Sequence, residues 1–413
     1  VVVGAGPFGL TAAAHLTLEG HDVTLLGRPG AHPRAGDGAR TVRLTGALGR
    51  RTVTLEKVAT DPAEAVPGRE VVVFAAPGAW FEDTARSIAP FLEDGQLILV
   101  NRGLCGVALR LSHILAAVRS TVRLVIAETS APAYLARRVD ADGLRAADGA
   151  ADGAAGGAPG DPGAAAVGAP PEACGEAVEI EVHLAAGRAA LAAFPAADTD
   201  RALAAAVGLY PGLGPAGNVL ETSLLGPAAI LYPPVALLNA GRIRGRVGDE
   251  GRRRGEAAPD DAAGCRSYRE WVTPAVAETM HAADEERVTL LRALGFQALG
   301  LLDWLAGEGW ADPGAAARQS FYEVFAGDGP LARMRVPLSL DDDDLHDAVA
   351  CGLVPMVEVG RLIGVATPVM EALVTLGSLA AGRSYQTVGL TADRMGLPRE
   401  LWKLGTFLER GVA

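Results

Sequence analysis

The chain has 413 residues, 49% of them apolar, which is too long for one ordinary small domain and sufficient for two or three packed units. A formal net charge of -12 speaks against a general nucleic-acid groove or an anionic membrane surface as partner. The four cysteines, Cys105, Cys174, Cys265 and Cys351, are far apart with no CxxC pair, so neither a zinc knuckle nor a disulfide framework is signalled and a reducing, cytoplasmic setting is expected.

In chain order, Val1-Val2-Val3 is a β-branched run that meets Gly4. Leu10 to Leu18 then reads as a helix and Asp22 to Leu26 as a second strand, a β-α-β unit. The chain starts on this strand without a methionine, so leading residues are expected before it. No apolar run is read as reaching the roughly 18 to 20 residues that span a bilayer, and the opening residues are a strand rather than a cleavable signal.

Apolar runs at Val71 to Ala75, Leu97 to Val100 and Leu124 to Ala127 read as strands, with Phe81 to Leu92 and Gly106 to Val118 helical between them. That alternation predicts a mostly parallel sheet. From about Val139 to Gly175 the composition collapses to Ala, Gly, Asp and Pro, which predicts a flexible surface insertion. Val178 to Leu184 resumes a strand pattern and Thr199 to Val207 a helical one.

Beyond the Pro/Gly-rich stretch at Tyr210 the signals are helical: Ala275 to Leu294, Leu301 to Gly307, Gly352 to Leu362, Pro368 to Leu379 and from Val388 onward. A polar segment from about 244 to 264 reads as a loop. The predicted fold is therefore α/β plus all-α: a Rossmann doubly wound parallel sheet over 1–210, followed by an all-helical C-terminal domain over 211–413. Several apolar helical faces are compatible with a homodimer.

Gly4-Ala5-Gly6-Pro7-Phe8-Gly9 leaves a strand and opens a helix, where three glycines permit a tight turn, backbone approach to a pyrophosphate and close helix packing. Gly4, Gly6, Phe8 and Gly9 are the expected cofactor contacts. After the second strand stands Gly27-Arg28 rather than a carboxylate, which favours NADP, with Arg28 meeting its 2′-phosphate. Ala76 and Pro77, and Asn101, end later strands and read as nicotinamide-side positions, with turn chemistry as the competing explanation. No metal site is signalled.

Six stretches, taken in order, make the chain resemble the octopine/nopaline (opine) dehydrogenase family outside its two polar insertions. They are Glu128 to Tyr134, Asn218 to Ser223, Pro234 to Ile243, Thr273 to Ala277, Asp284 to Arg287, and Gly352 to Pro355. The resemblance implies substrate bound between a Rossmann and a helical domain. It also implies condensation of an amine with a 2-oxo acid to an imine that NAD(P)H reduces. Such chemistry needs a proton donor near the reacting carbon and groups that hold substrate. Asn239 and Thr273, from shared stretches, are candidates to hold substrate, with helix capping the alternative for Thr273.

The chain departs from the family at the catalytic dyad. The family's His-Pro is Tyr232-Pro233 here, and counting back from Gly352 places its arginine on Asp343 and its aspartate on Ala348. Tyr232 can donate the proton instead, with a cleft-lining aromatic as its alternative; in a second reading His346 and Asp347, one or two positions from the lost aspartate, take over part of the catalytic role. The acidic run Asp341 to Asp344 reads as a solvated, helix-starting loop, and it opposes an anionic oxo acid at that corner. Two functions stay open: an NADPH-dependent reductase of an imine or ketone in specialised metabolism, or a redox-neutral cyclase, isomerase or cofactor-binding protein derived from that family. In either case the partner is a small molecule, with no nucleic acid and no membrane.

Overall fold

The computed structural model describes residues 1–27, 41–76, 78–101, 104–118, 121–139, 177–243, 267–334, 336, 340 and 342–411. The expected insertion from 140 onward and the polar loop at 244–264 lie outside the described residues, as do Arg28, Pro77 and Asp341.

Among the described residues eight strands form the main sheet: β1 (Val2–Val3), β2 (Thr24–Leu26), β5 (Lys57–Ala59), β6 (Val71–Phe74), β7 (Leu97–Val100), β8 (Val125–Thr129), β11 (Ala189–Phe194) and β12 (Leu213–Pro215). Their order is β12-β11-β8-β7-β6-β1-β2-β5. All neighbours are parallel except β8 and β11. The chain runs outward from β1 to β2 on one side and returns to β6 on the other. That reversal makes the carboxyl ends of β1 and β6 the switch point where doubly wound sheets bind ligands.

A second sheet, which the sequence reading did not separate, holds β3 (Thr41–Gly46), β4 (Arg51–Thr54), β9 (Tyr134–Arg138) and β10 (Val178–Ala185) in the order β4-β3-β10-β9. Helix Pro7–Leu18 is packed between the sheets. Leu10, Ala12, Ala13, Ala14 and Leu16 share a core with Val2, Leu25 and Val73 on one side and Val42, Leu44, Ile180 and Val182 on the other. A helix covered on two faces needs small side chains all round, which its alanines supply.

Beyond β12 the elements among the described residues are helices, as expected, and most of them surround a core of their own. The main sheet reaches Leu213–Pro215, slightly past residue 210. The chain's last helix, Leu401–Arg410, packs Leu404, Phe407 and Leu408 against the core under the main sheet, and Phe407 meets Phe194 at 4.9 Å between ring centres.

One sequence expectation is corrected. Val219–Leu238 is a 20-residue apolar stretch long enough to cross a membrane by length and composition, although 78% of its most apolar window is buried inside the protein. It consists of two helices, Val219–Leu225 and Ala228–Leu238, separated at Gly226-Pro227.

Candidate active site

The glycine turn stands at the switch point. Gly4 has φ +116°, and its N–H donates to Leu26 O at 2.9 Å, folding the chain sharply out of β1. A Cβ at Gly9 would lie 1.8 Å from Gly4 O, so only glycine lets the helix start this close to the strand. A Cβ at Gly6 would meet nothing within 4 Å, because that face is open. Gly6 caps the helix without a side-chain hydrogen bond, Pro7 follows, and no acidic residue stands in the first turn. The first N–H groups and the positive end of the helix dipole are therefore left for an anion. These features fit a dinucleotide pyrophosphate.

A cleft of about 390 Å³ opens beside this turn. On the sheet side it is lined by Gly6, Phe8, Ala75 and Tyr134, and on the helical side by Tyr232, Asp342, Asp343, Asp344 and Asp347. A smaller depression of about 300 Å³ around His21, Asp22 and Arg69 lies away from the glycine turn. It is at the amino-terminal edge of the parallel sheet, the wrong end for ligands in this topology.

Tyr232 sits in a helix with prolines at the next two positions, Pro233 and Pro234. They remove two backbone donors from the helix at the cleft wall. The Tyr232 ring meets Tyr268 edge-on at 6.0 Å. Asp347 reaches across from helix Asp343–Ala348 and accepts the N–H of Gly78 at 2.7 Å, in the loop after β6. A Cβ on Gly78 would come within 2.1 Å of that carboxylate, so the contact requires glycine.

The structure thus brings Gly6, Phe8, Tyr232 and Asp347 to one cleft. His346, expected beside Asp347, turns the other way, with its Nδ1 on the Tyr385 hydroxyl inside the helical domain. Successive helical residues point about 100° apart, which separates the pair. Asn239 and Thr273 are outside the cleft as well. Asn239 Nδ2 donates to Val235 O and Trp271 O, closing its helix, and Thr273 Oγ1 accepts from Val276 N as an N-cap. Ala76 is buried beyond the end of β6. Asn101 ends β7 and accepts from Thr129 Oγ1 and Ala133 N, which ties down the loop leading to Tyr134, while its amide nitrogen is buried without a hydrogen bond of good geometry.

Among the cleft residues without an assigned role in the sequence are Tyr134, Arg137 and His183. The Tyr134 ring lies tilted against Phe8 at 5.7 Å between centres, and its hydroxyl hydrogen-bonds His15 Nδ1 at 2.7 Å. Arg137, paired with Glu181, and His183 come from β9 and β10. Alternation along β10 was the available signal, but only the pairing of the second sheet brings it to the cleft. The acidic run does start a helix, with Asp342 capping Asp344 N and Leu345 N. It also faces the cleft, and burial together with Asp344 pushes the Asp342 carboxyl up to about 6.

A glycine turn at the switch point of a doubly wound sheet, facing an all-helical domain across a cleft, defines a two-domain protein of the dinucleotide-binding type. More particularly, the chain resembles the opine dehydrogenases. Residues 215–381 match the family described as NAD/NADP octopine/nopaline dehydrogenase, alpha-helical domain, and residues 1–129 match ketopantoate reductase PanE/ApbA. The opine dehydrogenase of Arthrobacter sp. (strain 1C) is 24% identical over 396 residues, covering 96% of this chain and 94% of that one. Octopine dehydrogenase in complex with NADH and agmatine superposes with a TM-score of 0.69 at 16% identity, over 100% of this chain and 98% of that one. NADP+-bound yersinopine dehydrogenase gives 0.53 at 14% identity, over 99% and 97%. The two structural likenesses are of fold.

Proposed function

We propose that the chain is an NAD(P)-dependent, opine-dehydrogenase-like oxidoreductase that uses NADPH to reduce an imine or ketone, as in specialised metabolism. The observation that carries this reading is the open glycine turn facing Tyr232 and Asp347 across one cleft. The resemblance to opine dehydrogenases supports it. Residues 1–210 would hold the cofactor and 211–413 would close over substrate, in a cytoplasmic enzyme built as a homodimer.

When bound, the cofactor supplies a hydride to the carbon of a C=N or C=O bond, with a proton required at the nitrogen or oxygen. Gly4, Gly6 and Gly9 would accommodate the pyrophosphate, and Phe8, Ala76, Pro77 and Asn101 would border the nicotinamide. Arg28 would pair with a 2′-phosphate, which Gly27 leaves unopposed. Tyr232 would give the proton, since its phenol is a donor on the helical wall. Asp347 would position the loop after β6 rather than transfer a proton, because its carboxylate accepts the Gly78 N–H. Asn239, Thr273 and His346 carry no substrate or proton role in this reading.

Fluorescence titration with NADPH and NADH, with stopped-flow detection of NADPH oxidation on amine and 2-oxo acid pairs, tests the proposal. NADPH binds more tightly than NADH in the native chain and loses that preference in Arg28→Ala. Tyr232→Phe lowers the reduction rate roughly a hundred-fold or more while leaving NADPH affinity in place. Binding without oxidation of NADPH by any pair would sink the reductase, and no binding of either cofactor would sink the dinucleotide site.

A further inference from the structure

Behind Tyr232 the cleft continues into a pocket of about 40 Å³, with Pro132, Leu135, Ala228, Tyr232 and Met334 shared between the two spaces. Its inner end is made by Leu231, Tyr268, Trp310, Phe325 and Leu331. These wall residues pack on one another and on their neighbours. Tyr268 stacks on Phe325 at 5.3 Å, Trp310 meets Trp304 edge-on at 5.4 Å, and Tyr268 N is bound to Met334 O.

Every atom exposed in this pocket is carbon or sulfur. The Tyr268 hydroxyl and Trp310 Nε1 are buried in its walls rather than exposed to it, and neither makes a hydrogen bond among the described residues. A cavity without polar partners does not hold water firmly, so filling it with carbon displaces little. The same walls offer a charged group no compensation for lost hydration. At roughly 10–15 Å³ for each water-sized centre, the space suits a group of about three heavy atoms.

We propose that this pocket receives the side-chain end of the amine partner and selects an uncharged aliphatic group of about three carbons. The assignment rests on the oxidoreductase reading above and names its substrate class. The pocket opens directly behind Tyr232, so a group seated there is tethered beside the proposed proton donor. Leu331 is the specificity-determining residue best suited to a test, since it is 2% exposed and lines the pocket without lining the cleft.

The experiment uses the full chain with NADPH, pyruvate and a series from methylamine to n-pentylamine, with 1,3-diaminopropane as the charged counterpart of propylamine. The efficiency of NADPH oxidation is expected to rise roughly four-fold per carbon up to propylamine and then to level or fall. Diaminopropane is expected at least ten-fold below propylamine. Leu331→Phe, which fills the pocket, shrinks the ratio of propylamine to methylamine efficiency, and Leu331→Ala moves the optimum to a longer amine.

A flat length profile, equal use of diaminopropane, or Leu331 variants that scale every amine alike would overturn the assignment while leaving the oxidoreductase intact. Absence of oxidation with every pair counts against the oxidoreductase instead. The pocket is then decided by intrinsic fluorescence, read as the difference between the native chain and Trp310→Phe. A propylamine response removed by Leu331→Phe supports the pocket, and no such response overturns it.

Discussion

Glu128 is 1% exposed at the carboxyl end of β8, where it accepts Ala108 N at 2.9 Å, Ser223 Oγ at 2.6 Å and Thr222 Oγ1 at 3.1 Å. Burial pushes its carboxyl up to about 7 against these hydrogen bonds. The folded state therefore binds this proton more tightly than the unfolded chain does. Its stabilising contribution is complete below about pH 4.5 and is lost as pH rises through about 7. Glu128→Gln should remove this part of the pH dependence, making the difference in urea stability between native and variant change by about 3 kcal/mol between pH 4.5 and pH 7.5. A difference that does not vary with pH would contradict it. Glu128 opened one of the stretches shared with the opine dehydrogenases, yet nothing local marks it as buried. Ser223 and Thr222 lie about ninety-five positions away in the chain and meet it only in the fold. The glycine motif is the opposite case, since the strain-free use of φ +116° at Gly4 is a property of the residue type itself.

Helix Asp343–Ala348 and the π turn that follows it, Val349–Leu353, form the element that decides which of the expected residues face the cleft. Cys351 leaves helical geometry there, and Gly352 packs against Ala229, where a Cβ would lie 2.9 Å from the Ala229 Cβ. This packing points Asp347 to the loop after β6 and His346 to Tyr385. Asp347→Ala should leave the half-buried Gly78 N–H without its acceptor, costing about 1 kcal/mol of stability and weakening NADPH affinity through the released loop. Thermal unfolding and cofactor titration check this, and unchanged affinity would confine Asp347 to a structural role. The Rossmann helices and strands were readable from apolar runs and spacing. Helix Pro7–Leu18 has no single apolar face to read, because a second sheet covers its other side. The facing of residues 346 and 347 was out of reach, since a register error of one residue exchanges their directions.

Across the whole molecule, helix Leu401–Arg410 packs back against the main sheet at β11. Leu404, Phe407 and Leu408 of the last helix bury against a core that includes Ile126 and Phe194 from the main sheet. Removing residues 400–413 should destabilise the sheet-bearing half by roughly 5 kcal/mol, from three buried apolar side chains at about 1.5–3 kcal/mol each. Urea unfolding of the shortened chain tests this; a change below about 1 kcal/mol would mean that the helix rests on the sheet without supporting it.

The sequence by itself determined the two kinds of architecture, the glycine turn and the resemblance to opine dehydrogenases, because these depend on local periodicity and on residue types with distinctive backbone freedom. The tertiary structure alone decided the rest. It paired β9 with β10 and β10 with β3, which carried Tyr134, Arg137 and His183 to the cleft. It aimed Asp347 inward and His346 away, and it enclosed an apolar pocket behind Tyr232. Those outcomes depend on side chains distant in sequence filling one volume together, and no local pattern records where such partners will meet.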